Sequence, residues 1–369
     1  MIKRLYIHNF RCLENFELPV SNESSILLIG KNGSGKTTVG LALKIFQRIA
    51  RGTNRVSDLV HPKDLSRGRG DVPMRFSIEA ELASQIFSYT IAFELPKDFK
   101  ELRVFEEKLE VDGKLVYSRE LAQVRLARRN LESEAQFRID WHLVALPIVQ
   151  ESSEKDPLFV FKNWLANMLI LRPAPALIDG DSSEETLQPN IQVTNFGSWF
   201  TGLLSFAPSA YTKIDEYLRQ IMPDLKDIKN PTTGSDSRSL TVQFAANSGS
   251  ISLPFGDLSD GEKCFMICAL VLAANDAYGP LLCFWDEPDN YLALSEVGHF
   301  VLALRSSFQS GGQFIATSHN DEAIRRFSKE NTLLLSRKNH LEPTVVRPLK
   351  DVQINGDLID ALVRGDLTL

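Results

Sequence analysis

Gly30-Lys31-Asn32-Gly33-Ser34-Gly35-Lys36-Thr37-Thr38 matches the pattern GxxxxGK[ST]. Phosphate chemistry demands this composition. Glycines let the loop wrap so that successive backbone N–H groups point inward at phosphate oxygens, and the helix that follows presents its positive end to the same anion. At this spacing Lys36 reaches the β- and γ-phosphates, and the Thr37 hydroxyl ligates Mg²⁺. The expected phosphate-binding set is Gly30, Asn32, Gly33, Ser34, Gly35, Lys36, Thr37 and Thr38.

Two later stretches carry matching chemistry. Leu281-Leu282-Cys283-Phe284-Trp285-Asp286-Glu287 is an apolar run ending in two carboxylates. An acid at the end of such a strand serves a Mg²⁺ ion, which is the expectation for Asp286. Glu287, one residue on, is placed to polarise an attacking water as general base. Leu258-Ser259-Asp260-Gly261-Glu262-Lys263 precedes a strongly apolar segment. Ser259 with Glu262 three residues later spells a capping box, which starts a helix. A serine hydroxyl, a glycine backbone and a helix N-terminus also suit a γ-phosphate.

These residues need elements to hold them. A short apolar run at 25–29 reads as a buried strand, and 36–51 turns to helical spacing, so the glycine-rich loop is a strand–loop–helix junction. The segment 74–146 reads as short strands, with Asp112-Gly113 as a two-residue hairpin turn. Residues 119–130 read as an exposed basic helix, and 157–168 as a helix. Residues 177–190 read as a loop, and 194–205 and 208–222 as helices. Strands are expected at 240–245 and 251–254. Beyond 256 helices and strands alternate: helix 260–276, strand 281–285, helix 293–309, strand 313–317, helix 320–327, strand 331–335. No internal repeat or heptad array is visible, so no long coiled-coil arm is expected.

In this order the motifs resemble the ABC-type ATPase heads of the SMC, RecF and OLD-like group. LSDGE is a close variant of that group's LSGGQ signature. Ile7-His8-Asn9-Phe10-Arg11-Cys12-Leu13 is similar to its first strand pair. Pro288-Asp289-Asn290-Tyr291-Leu292 resembles its D-loop, and Ala316-Thr317-Ser318-His319 its switch histidine. The resemblance implies an α/β fold: an ABC/SMC-head-like P-loop ATPase with a mixed sheet, an antiparallel β lobe and a helical middle insertion. The expected parts are 1–73 (core with the P-loop), 74–255 (β lobe and insertion) and 256–369 (core with signature, acids and switch histidine). It implies ATP and Mg²⁺ as cofactors and hydrolysis, with Glu287 and His319 catalytic, and Thr37 and Asp286 on the metal. Ser259, Asp260, Gly261 and Asp289 are expected at nucleotide. Because the signature caps ATP held by the opposite head, a head-to-tail homodimer, or a higher even-numbered oligomer, follows. No Q-loop glutamine is evident; Gln85 and Gln150 are the candidates, while Leu169-Ile170-Leu171-Arg172-Pro173 has none. Arg11 is expected either at nucleotide or on the surface.

Composition bounds the partners. The 369 residues carry a net charge of −6 and are 43% apolar, which fits a folded protein and opposes coating by nucleic acid through bulk charge. Arg67 with Arg69, and Arg119 with Arg125, Arg128 and Arg129, read as solvated faces. Cys12, Cys264, Cys268 and Cys283 read as buried apolar side chains of a cytoplasmic protein. No run suits a membrane span. No TOPRIM domain is expected after His319, so an effector such as a nuclease is expected on a separate chain, as in the PtuA-like stand-alone ATPases of phage-defence operons. A RecF-like DNA-repair ATPase is the second reading, with nucleic acid as direct partner. A scaffold that holds ATP with little hydrolysis is another. More than 200 residues between Thr38 and Leu258 oppose a transporter subunit.

Overall fold

The computed structural model describes residues 1–20, 23–127, 135–234 and 236–352. The chain is an α/β protein that divides into two units, Met1–Met168 with Lys329–Leu369, and Leu169–Ser328.

The first unit is built on an antiparallel sheet of Phe16–Leu18, Ile2–His8, Met74–Leu82, Gln85–Glu94, Arg103–Val111, Lys114–Glu120, Gln123–Leu126 and Ala135–Arg138, in that spatial order. Period-two alternation puts Phe76, Ile78 and Ala80 on the core side. The Asp112-Gly113 turn has positive φ at both residues (50° and 73°), as a two-residue hairpin requires. Phe46 of the helix Lys36–Ala50 packs edge-on against Phe76 and Tyr89 of this sheet. Beside it, Ser25–Ile29 runs parallel to Thr332–Ser336, which pairs antiparallel with Val345–Pro348.

The expected basic helix at 119–130 is instead the strands Lys114–Glu120 and Gln123–Leu126; Arg128, Arg129 and Asn130 lie outside the described residues. The reason is long-range. Arg119 is fully buried rather than solvated, and its guanidinium donates to the carbonyls of Leu121, Asp140 and Leu143. It lies 3.8 Å from the buried Glu107, which also accepts from the Tyr89 and Tyr117 hydroxyls and from the N–H groups of Ala145 and Leu146. Burial of both charges is tolerable only with such pairing, and the pairing requires strand geometry at 119. Arg67 and Arg69 are not simply solvated either: both pair with Glu14.

The second unit holds three parallel strands, Leu169–Leu171, Leu282–Trp285 and Gln313–Thr317. The first of these was not expected as a strand. Helices Phe196–Phe206, Ala210–Ile221, Asp260–Tyr278 and Leu294–Gln309 belong to the same unit, as does an antiparallel sheet of Leu225–Lys229, Thr241–Ala246 and Gly249–Pro254. The expected loop at 177–190 contains a two-residue strand, Asp181–Ser182, paired with Ser239 and Arg238. Helix Asp260–Tyr278 is buried without a break from Lys263 to Ala274. A helix apolar on all sides is a central one. Cys264 and Cys268 lie on it, and burial pushes the Cys264 thiol up to about 12 and that of Cys268 higher still. Both are therefore unreactive thiols at neutral pH.

Candidate functional site

In the first unit the strand Ser25–Ile29 delivers the chain into the glycine loop, and Lys36 opens the helix. Gly30 and Gly35 have φ of 144° and 101°, a region that disfavours any side chain. Space forbids one as well. A Cβ on Gly30 would stand 2.1 Å from the Leu335 carbonyl oxygen, and one on Gly35 2.9 Å from Thr344 Oγ1. The helix N-terminus has no side-chain cap and no acid in its first turn, so its positive end suits an anion. Lys36 is 6% exposed, with Nζ donating to the Gly30 carbonyl at 2.7 Å and to that of Lys31 at 3.4 Å. Ser34 Oγ is buried without a hydrogen-bond partner. Lys31, Asn32 and Gly33 are exposed, and Thr37 and Thr38 half-buried on the first turn. A glycine-rich cradle, a helix without a side-chain cap and a lysine bent onto loop carbonyls fit a polyphosphate.

Thr344 was not anticipated. Its hydroxyl donates to the Ser34 carbonyl at 2.9 Å and its N–H to the Cys12 carbonyl at 2.9 Å. Thr344, just before the strand Val345–Pro348, thus straps the glycine loop from 310 residues away. Arg11 pairs with Asp64 through Nε and a terminal nitrogen, each at 3.0 Å. Of the two glutamines, Gln85 donates its amide to Asp112 at a hairpin, and Gln150 is exposed.

In the second unit the acids stand at the end of the buried strand Leu282–Trp285. Asp286 is 6% exposed, and Oδ1 accepts from the Thr317 hydroxyl at 2.7 Å. The Glu287 N–H donates to that hydroxyl at 2.9 Å. Glu287 has φ of 53°, a left-handed conformation that costs a side-chain-bearing residue about 1–2 kcal/mol. Asn290 Nδ2 donates to Glu287 Oε2 at 2.7 Å, and His319 Nε2 stands 3.4 Å from Oε1. Both side chains are partly exposed, as a base serving a water must be. Glu287, Asp286, Thr317 and His319 are therefore brought together by two adjacent strand ends. Thr317 and Asn290 carry part of this arrangement, although sequence reasoning quoted them without giving them a role.

Asp289 is 4% exposed and accepts from the Ser318 hydroxyl at 2.7 Å. Burial raises its pKa above the usual carboxylate range, against the lowering effect of Ser318. In the interval between the ordinary and the raised pKa, the folded chain holds a proton that the unfolded chain has lost. Stability from this group is therefore present at low pH and lost as pH rises through the raised pKa. Melting temperatures of Asp289→Asn and wild type, compared from pH 4 to 8, should diverge in favour of asparagine as pH rises.

Ser259 caps helix Asp260–Tyr278 as expected. Its Oγ accepts from Glu262 N–H at 3.3 Å and donates to Glu262 Oε2 at 2.7 Å. Ser259 and Asp260 are exposed and Gly261 half-buried. A Cβ on Gly261 would lie 3.1 Å from the Tyr291 carbonyl, so the signature tip adjoins the segment that follows Glu287. Among the described residues no group of three or more His, Cys, Asp or Glu side chains forms a self-sufficient metal cage, and no helix is long and apolar enough to cross a membrane. An acid beside a hydroxyl is the donor set of a Mg²⁺ that takes its other ligands from phosphate and water.

The family model described as "RecF/RecN/SMC N terminal domain" matches residues 1–341. The chain belongs to the RecF/RecN/SMC family. The SMC-head ATPases of this family use ATP and Mg²⁺ in general. In fold the chain is similar to an SMC head bound to the C-winged helix domain of ScpA, with a TM-score of 0.55 and 14% identity over 95% of this chain and 98% of that one. It is also similar to an SMC head with an extended coiled coil bound to the C-terminal domain of ScpA derived from Pyrococcus furiosus, with a TM-score of 0.52 and 12% identity over 95% and 96%. A stretch of 45 residues is 47% identical to an OLD nuclease of Thermus scotoductus, covering 12% of this chain and 8% of that protein.

Proposed function

We propose that this RecF/RecN/SMC-family chain is a Mg²⁺-dependent ATPase that closes head-to-tail with a second copy around two ATP molecules and thereby controls a separate effector. In this reading the loop Gly30–Thr38 cradles the triphosphate, with Lys36 on its β- and γ-phosphates. Thr37 and Asp286 hold Mg²⁺, which neutralises charge on the phosphates when bound. Glu287 takes a proton from the attacking water, and His319 beside it positions the base and senses the γ-phosphate. Asp289, in the D-loop position, completes the nucleotide set. The observation that carries the hydrolytic part is the strained left-handed backbone of Glu287, with its carboxylate fixed by Asn290 and facing His319. Backbone strain of this kind persists where the surroundings enforce it, and it clusters at active sites.

The dimer rests on the exposed tip Ser259-Asp260-Gly261, at the end of a buried helix of 19 residues. ATP that binds the closed pair better than the open one shifts the equilibrium to closure, and loss of the γ-phosphate reverses it. The effector is proposed to be a nuclease and the setting prokaryotic anti-phage defence in the cytoplasm; the stretch shared with an OLD nuclease supports this over a RecF-like repair role. The Arg67 and Arg69 pairing with Glu14 supports it too, because those charges are already engaged. Ser259→Arg tests the dimer. It should leave ATP affinity within about threefold of wild type, as expected for a surface change, while blocking ATP-dependent association. Unchanged association would contradict the reading.

A further inference from the structure

We propose that Arg172, which stands beside Asp286, is a triphosphate-sensing residue that reaches the terminal phosphate of a nucleoside triphosphate. The inference deepens the proposed function and rests on it. Arg172 follows the strand Leu169–Leu171, whose last residue is in parallel register with Trp285. Leu171 accepts a hydrogen bond from Asp286 N–H at 2.8 Å, which sets Arg172 beside Asp286. The backbone is pinned on both sides, by Arg172 N–H to the Ile191 carbonyl at 2.7 Å and by Ala174 N–H to that of Gln192 at 3.2 Å, with Pro173 between. The side chain is therefore the part that can move.

Its Nε lies 3.7 Å from Asp286 Oδ2, and its side chain is 64% exposed against 6% for Asp286. That separation is too long for a good hydrogen bond, yet close enough to offset the carboxylate's charge. Asp286 Oδ1 is already held by Thr317. A divalent cation on Asp286 would repel the guanidinium and favour its turning away, since like charges repel. A guanidinium so displaced offers a planar fork of donors, the geometry that suits phosphate oxygens. The additional charge of a triphosphate over a diphosphate is what such a group distinguishes.

The test uses the full chain carrying Glu287→Gln, with fluorescent ATP and ADP analogues and Mg²⁺. Adding Arg172→Ala should weaken ATP binding by about ten- to a hundredfold, the range for a lost charge-assisted hydrogen bond, and ADP binding by less than about threefold. Arg172→Lys should recover part of the ATP affinity. Parallel weakening of both nucleotides, or no change in either, would overturn the proposal. Lys36→Ala in the same background separates the two levels of inference. If it too leaves ATP affinity intact, the nucleotide site itself is wrongly assigned; if it removes binding while Arg172→Ala shows no ATP-specific loss, only the role of Arg172 fails.

Discussion

Lys36→Ala should sharply weaken ATP binding while the chain stays folded. Lys36 is 6% exposed and its ammonium already holds two loop carbonyls, so the residue is buried at the glycine loop. Truncating one member of a buried, hydrogen-bonded charge pair costs about 2–5 kcal/mol. At about 1.4 kcal/mol per tenfold, ATP affinity should fall by roughly thirtyfold to several thousandfold. Some of this loss comes through the loop, because alanine also releases the Gly30 carbonyl. Lys36→Met, which keeps most of the stem, should lose affinity as well, whereas a role confined to packing of the stem would leave it near wild type. Calorimetric titration with Mg·ATP, alongside a melting curve, checks the outcome. Undiminished affinity would remove the P-loop assignment.

The second large effect is on turnover. Glu287→Gln keeps the side-chain length, the Asn290 contact and the left-handed backbone, but it cannot take a proton. General-base catalysis contributes about 10²–10⁴-fold, so phosphate release should fall by that factor while ATP binding persists. Single-turnover phosphate release separates binding from chemistry. A wild-type chain as inert as Glu287→Gln would favour the scaffold that holds ATP with little hydrolysis. A variant as fast as wild type would place the base elsewhere.

Legibility in the sequence followed the range of the interactions. The strand–loop–helix around Lys36 and the acids ending Leu282–Trp285 are contiguous, and their chemistry dictates composition, so they could be read directly. The Ser259–Glu262 capping box is local and was legible for the same reason. Arg119 was misread because a run rich in arginine looks solvated until Glu107 is known to face it. The Thr344 strap joins residues 310 positions apart and leaves no local mark. Glu287 at φ 53° was also hidden, since only glycine, and less strongly asparagine, advertises that conformation. Arg172 was noticed for not being glutamine; parallel register with Trp285 is what gives it a position beside Asp286.

The most direct measurement is the sedimentation mass of two proteins, Glu287→Gln and Glu287→Gln with Ser259→Arg, each with and without Mg·ATP. If a triphosphate is shared between the loop of one copy and the Ser259 helix tip of its mate, ATP should double the mass of the first and leave the second unchanged, although both bind nucleotide. Equal ATP-driven doubling in both, or none in either with nucleotide bound, would contradict that arrangement.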